Sequence, residues 1–87
     1  MAEMRLPVGA DQLLRYFESV AQENPSEHWR NGIAMCRRWL QLLSAGATQA
    51  DVDAFLSRLR SEPNPGSGWI ELGMQFRRWA ISNGFEA

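Results

Sequence analysis

The stretch WRNGIAMCRRWL, residues 29–40, is followed forty residues later by the similar stretch WIELGMQFRRWA, residues 69–80. Both begin with tryptophan and carry Arg-Arg-Trp at the same distance from it. An Ala-Asp pair and an Asn-Pro pair upstream of each stretch repeat at the same interval. Repetition at one fixed interval indicates that two similar structural units follow each other along the chain.

The apolar residues of the first stretch and its continuation recur at the period of an α-helix. Five of them are spaced by four, three, four and three residues: Trp29, Ile33, Cys36, Leu40 and Leu43. Comparable spacing elsewhere predicts four helices, at about 10–23, 25–43, 49–61 and 67–82. No strand-like alternation longer than four residues occurs. The predicted fold is therefore all-α, a single four-helix bundle made of two repeated αα-hairpins.

Residues that favour helix ends lie at the predicted boundaries. Asn24 is the predicted N-cap of the second helix, and Pro25 fits its first position. Residues 48–51, Thr-Gln-Ala-Asp, predict a capping box at the start of the third helix. Asn83-Gly84 predicts the end of the fourth helix, with Phe85 folding back onto it.

Composition restricts the class of protein. The chain has 87 residues, 45% of them hydrophobic, and a formal net charge of −1. Its one cysteine cannot form an internal disulfide, and no apolar run approaches the ~20 residues of a membrane span. The first residues do not resemble a signal peptide. We therefore expect one small domain that acts in the cytoplasm.

Few residues offer material for catalysis. The single histidine and the single cysteine, His28 and Cys36, lie eight positions apart on the second predicted helix. They could form a nucleophile pair, but a buried core thiol and a surface histidine are the more ordinary arrangement. The sequence has too few closely spaced ligands for zinc and no glycine-rich phosphate loop after a strand. We expect no enzymatic activity, no metal and no cofactor.

The basic residues are all arginine and are unevenly placed. Residues 1–27 carry two arginines and five acids, residues 28–60 five arginines and two acids, and residues 61–87 two arginines and three acids. The segment charges are −3, +3 and −1, which sum to −1. The centre of the chain is thus basic, and arginine suits phosphates and carboxylates.

On the second helix, Arg30, Arg37 and Gln41 fall within about 40° of one another, with Asn31 and Arg38 beside them. The fourth helix has Arg77 and Arg78 at the equivalent repeat positions, with Gln75 and Ser82 close to the second of them. Such surfaces suit phosphate and base contacts. On the second helix, a solvated face is an equally typical interpretation. On the fourth helix, a solvated face is the more ordinary one, because cations also suit a helix C-terminus.

The four tryptophans also allow two interpretations. Trp29, Trp39, Trp69 and Trp79 recur at helical spacing and at matching positions of the repeat. Exposed, they would suit base stacking, but the spacing favours a place in the core.

Several segments resemble the N-terminal core-binding (SAM-like) domain of phage integrases and other tyrosine recombinases. The resemblance spans about residues 11–85 and is carried by WRN (29–31), RRWL (37–40), TQADVDAFL (48–56) and FRRWAISNGF (76–85). It implies a four-helix domain that holds one face of double-stranded DNA, with the second and fourth helices near the major groove. It implies seven contact residues: Arg30, Asn31, Arg37, Arg38, Ser67, Gln75 and Arg78. The resemblance covers the core-binding domain and does not include the family's catalytic domain. It therefore implies DNA binding without recombination activity.

Two further functions remain open at this stage. Small helical bundles include antitoxins, immunity proteins and phage-encoded inhibitors, which bind a protein partner. Self-association through the fourth helix is the other, because Ile70, Met74 and Ile81 lie off its main apolar stripe.

Overall fold

The computed structural model describes residues 8–63 and 65–87. These residues form four α-helices and no strand, which confirms the all-α prediction. The helices are α1 (Ala10–Glu23), α2 (Glu27–Ala45), α3 (Gln49–Arg60) and α4 (Ser67–Ser82). Within the described residues, no helix combines the length and the apolar character needed to cross a membrane.

The bounds of α1 and α4 are those predicted, whereas α2 lies two residues further along the chain. The N-cap of α2 is Ser26, whose hydroxyl accepts a hydrogen bond from the N–H of Trp29 at 3.4 Å. Asn24 instead closes α1, donating its N–H to the carbonyl of Val20 at 2.8 Å. The residue before a proline is kept out of the helical region, so Pro25 separates the two helices rather than opening the second.

The predicted signals at α3 and α4 are confirmed. In the capping box of α3, Asp51 donates its N–H to the Thr48 hydroxyl at 3.2 Å, and Thr48 donates its N–H to the Asp51 carboxylate at 3.0 Å. At the end of α4, Gly84 has a φ of +85°, and Phe85 donates its N–H to Ala80 at 2.9 Å. This is the Schellman arrangement, in which a left-handed glycine turns the chain back over the last helical turn.

Consecutive helices pair into the two predicted hairpins. In the first, the buried ring of Phe17 on α1 lies against Gly32 of α2, where a Cβ atom would stand only 3.3 Å away. In the second, the rings of Phe55 on α3 and Phe76 on α4 stack with centroids 3.8 Å apart. Close packing at Gly32 explains why the middle of α2 tolerates a residue with low helix propensity.

The two hairpins meet through aromatic residues of α2 and α4. His28 contacts Trp69 near the beginnings of these helices, at a ring distance of 6.1 Å. Further along, Trp39 lies 5.6 Å from Phe76 and 6.2 Å from Trp79. Helices α2 and α4 therefore run in the same direction, and Trp39 touches its own equivalent in the repeat.

The core interpretation of the tryptophans is confirmed. Trp39 and Trp69 are buried, and Trp29 and Trp79 are partly buried against the same core. The indole N–H of Trp69 donates to the carbonyl of Leu59 at 3.0 Å, which ties α4 to the end of α3.

Candidate nucleic-acid interface

The outer face of α2 carries three exposed arginines. Arg30, Arg37 and Arg38 are all exposed, and the eight residues that separate the first from the last span about 12 Å along the helix. After Glu27 the helix contains no acidic residue. The face is thus basic over most of its length, as the sequence predicted.

Neighbouring helices supply acids to two of these arginines. Arg37 Nη2 lies 3.4 Å from Glu18 Oε2 on α1, and Arg38 Nη2 lies 3.4 Å from Asp51 Oδ1 on α3. Within the described parts of the chain, Arg30 forms no ion pair. All four paired side chains retain substantial exposure, and exposed pairs of this kind contribute only about 0–1 kcal/mol. A phosphate group can therefore compete for these arginines.

Asp51 is held in its ionised form by its surroundings. Hydrogen bonds from the backbone and the hydroxyl of Thr48 lower the pKa of the Asp51 carboxyl, and the charge of Arg38 lowers it further. Arg38 also donates to the amide oxygen of Gln41 at 3.5 Å. The ion pair between Arg38 and Asp51 therefore joins the basic face of α2 to the first turn of α3.

Asn31, the fourth predicted contact on α2, is partly buried at the side of this face. It lines a polar cleft of about 470 Å³ between the start of α2 and the end of α3, together with Glu27, His28, Arg58 and Glu62. Among the described residues, no three histidine, cysteine or acidic side chains are arranged to hold a metal ion. Asn31 thus borders the arginine face without lying at its centre.

The predicted contacts on α4 lie outside the arginine face of α2. Residues two apart on a helix point to nearly opposite sides, because each residue turns the helix by about 100°. The rings of Trp39 and Phe76 join α2 to α4. Arg37 lies two residues from Trp39, and Arg78 lies two residues from Phe76. Arg37 therefore points away from the junction. Arg78 instead lies at the edge of the junction, where it lines a hollow of about 400 Å³ together with Trp39 and Leu43 of α2.

Ser67, the predicted contact at the start of α4, is the first residue of that helix. It is exposed and lies two residues from Trp69, which faces His28 across the junction. Ser67 thus belongs to the outer face of α4, and Arg30 and Arg37 belong to that of α2. Arg78 lies at the edge of the outer face of α4, between the hollow beside Trp39 and the one beside Met74.

Gln75 corrects one expectation, because its side chain is not available to DNA. Only 6% of the residue is exposed. Its Oε1 accepts a hydrogen bond from the N–H of Gly9 at 2.6 Å, and its Nε2 donates to Glu71 at 2.9 Å. The amide connects the start of α1 to α4, which makes Gln75 a structural residue.

The sulfur of Cys36 lies inside the core. Burial raises the pKa of the Cys36 thiol to about 12, and the negative charge of Glu18 acts in the same direction. The thiol is therefore protonated at neutral pH, unlike a catalytic nucleophile. His28, expected at the surface, is instead partly buried between Trp29 and Trp69.

A second group of exposed residues lies outside the seven contacts that the resemblance implies. Arg60 and Arg77 are exposed beside a groove between α3 and α4. Five apolar residues are also exposed: Val8, Leu43, Ile70, Met74 and Ile81. The off-stripe positions predicted for the last three are confirmed. Arg60 could be singled out only once α3 was known to lie beside α4.

In comparisons with known proteins, no protein family, curated protein or solved structure matches this chain.

Proposed function

We propose that this protein is a DNA-binding module of the type found in the core-binding domains of tyrosine recombinases, without catalytic activity of its own. The observation that carries the proposal is the exposed face of α2 with Arg30, Arg37 and Arg38. We also propose, from the composition, that it acts in the cytoplasm.

The shape and chemistry of α2 support binding to duplex DNA. The major groove of B-DNA, about 12 Å wide, admits an α-helix, and arginine reads guanine or holds phosphates from such a helix. Asn31 and Gln41 border the arginines and supply amide groups, which suit adenine edges. The α2 face alone therefore combines positioning groups with base-reading groups.

The ion pairs of Arg37 and Arg38 are compatible with this role. On binding, phosphate oxygens replace Glu18 and Asp51 as the partners of these arginines. The exchange costs little because both pairs are exposed. In the unbound protein, the same carboxylates offset part of the positive charge of the face.

The experiment is a fluorescence-anisotropy titration of labelled duplex DNA, repeated at several salt concentrations. Three arginine–phosphate contacts predict a plot of log K against log salt with a slope of about −3. Replacing Arg30, Arg37 or Arg38 by glutamine is expected to reduce the magnitude of the slope by about one each. Thermal melts of the same variants establish that each remains folded.

Arg15→Gln is the matched control. Arg15 is exposed on α1 and forms an ion pair with Asp11 at 3.3 Å, so its charge and environment resemble those of the α2 arginines. Its replacement should leave the slope unchanged. Arg78→Gln separately tests whether α4 contributes a contact. Absence of salt-dependent binding, or an Arg15→Gln effect equal to those on α2, would refute the proposal.

A further inference from the structure

The outer face of α4 has an apolar stripe that the DNA-binding proposal does not use. Ile70, Met74 and Ile81 are 52%, 51% and 58% exposed. Their spacing of four and seven residues places them along one line of the helix. Ile70 and Met74 lie one turn apart, and Ile81 follows two turns further on, beyond Arg77. Single exposed apolar residues are ordinary, whereas several on one helix face are typical of a binding surface.

A groove between α3 and α4 widens this apolar surface. It has a volume of about 260 Å³, and Leu56, Leu59, Ile70 and Met74 contribute to its walls. Gly73 lies between the last two and has no side chain to fill the groove. A Cβ atom there would stand 3.7 Å from Leu59, which is an ordinary van der Waals contact.

Arginines border the apolar surface on both sides. Arg60 and Arg77 line the groove, and Arg77 and Arg78 flank Met74 and Ile81 in an adjoining depression of about 290 Å³. None of the described residues that line either hollow is acidic. Throughout the described chain, these three arginines form no ion pair. The surface therefore has an apolar centre and positive edges. On its other side, Arg60 borders a separate hollow that Asp53 and Glu86 also line.

We propose that this α4 face is a docking site for an amphipathic, acidic helix of another protein. Apolar side chains of the partner would cover Ile70, Met74 and Ile81 and enter the groove above Gly73. Carboxylates beside them would reach the guanidinium groups of Arg60, Arg77 and Arg78. Such a helix matches both the apolar centre and the charge of the edges.

The charges disfavour a second copy of this protein as the occupant. Two copies docked face to face would set arginine against arginine along at least one edge. Duplex DNA also fits less well, because its phosphates would satisfy the arginines but would leave the apolar stripe exposed. An acidic amphipathic helix satisfies both parts of the surface.

The test uses two synthetic peptides of about 20 residues, long enough to form amphipathic helices. One has leucines on one face and glutamates on the other, and the second has lysines in place of the glutamates. We expect saturable binding of the acidic peptide that weakens as salt is raised, and no saturable binding of the basic one. Amide chemical-shift changes should be confined to the second half of α3 and to α4.

Two variants and two matched controls locate the contact. Ile70→Ser and Arg77→Glu should each weaken binding of the acidic peptide about tenfold. Leu43→Ser removes a comparably exposed apolar residue from α2, and Arg15→Glu reverses a charge on α1; neither should change the affinity.

Four results would overturn the proposal. One is the absence of saturable binding, and another is equal binding of the basic peptide. The third is a shift pattern centred on α2. The last is a concentration-dependent dimer in sedimentation of the protein alone, with Ile70→Ser abolishing it, which would identify a second copy as the occupant.

Discussion

At the scale of single residues, the surroundings decide what a side chain does. Arg37 and Arg38 have the same sequence motif as Arg77 and Arg78, yet only the first pair meets acids within the described chain. Glu18 lies 19 residues before Arg37 in the sequence, and Asp51 lies 13 residues after Arg38. Helical periodicity predicts which residues share a face of one helix. It does not predict ion pairs between side chains of different helices.

Gln75 shows the same principle for a buried group. Replacing Gln75 by alanine leaves the N–H of Gly9 without its acceptor, and this should lower the free energy of unfolding by about 1–2 kcal/mol. Urea denaturation measures the change. DNA affinity at constant salt should stay within about twofold, because the side chain is not on the surface.

Gln41→Ala is the control for Gln75→Ala. Gln41 is exposed on α2, and its side chain accepts a hydrogen bond from Arg38 at 3.5 Å. The Ser44 hydroxyl donates to the backbone carbonyl of Gln41, which alanine retains. The substitution should therefore change the free energy of unfolding by less than about 0.5 kcal/mol. A Gln75→Ala protein of unchanged stability but weaker DNA binding would return Gln75 to the contact surface.

At the scale of elements, the sequence predicted helices better than it predicted their ends. The periodic residues and the signals at residues 48–51 and 83–85 were sufficient for α3 and α4. The start of α2 was misplaced because Asn24 and Ser26 are both good N-caps on either side of Pro25. Local chemistry therefore allowed either residue as the N-cap. In the structure, α2 begins at Glu27, and the ring of Trp29 in its first turn packs 5.7 Å from the ring of Phe17 on α1.

The capping box of α3 predicts an effect of pH on stability. The pKa of Asp51 is lowered in the folded protein. Its contribution is therefore complete above the pKa of the unfolded chain and is lost as pH falls through the lower, folded pKa. Asp51→Asn should reduce the melting temperature at pH 7, and the difference from the parent protein should shrink as the solution is acidified. Thermal melts from about pH 7 to pH 2 measure both.

Asp53→Asn provides the comparison for the capping box. Asp53 lies one turn into the same helix and accepts a hydrogen bond from the side chain of Gln49. It completes no cap, so its replacement should alter the melting temperature less at pH 7. An equal effect of both substitutions would show that general helix electrostatics, rather than the box, stabilises α3.

At the scale of the whole molecule, the dimensions of the described part of the chain limit how much duplex the proposed DNA-binding module can cover. The principal extents are 35 × 31 × 23 Å. At 3.4 Å per base pair, the longest of them corresponds to about ten base pairs. When duplexes of increasing length are compared, the affinity should therefore stop rising near about ten base pairs. Beyond that length, only the number of overlapping binding sites should increase it. Continued steep growth beyond about twenty base pairs would indicate that several copies assemble together.

The bundle also explains why the expected site was only partly predictable. Sequence reasoning assigned the arginine-bearing faces of α2 and α4 to one partner, since both carry the same motif. Because α2 and α4 meet through Trp39 and Phe76, the face with Arg30 and Arg37 and the face with Ile70 and Met74 point in different directions. Arg78 lies between these faces, beside the same junction. The separation allows α2 and α4 to serve different partners.

The contact between Trp39 and Trp79 has a consequence for the origin of the chain. These residues hold equivalent positions in the two halves, and their rings lie 6.2 Å apart. Units of about 40 residues rarely fold alone without association. If the halves arose by gene duplication, the ancestral hairpin would have been a symmetric pair of identical chains, and the tryptophan contact would descend from a residue that once met its own copy.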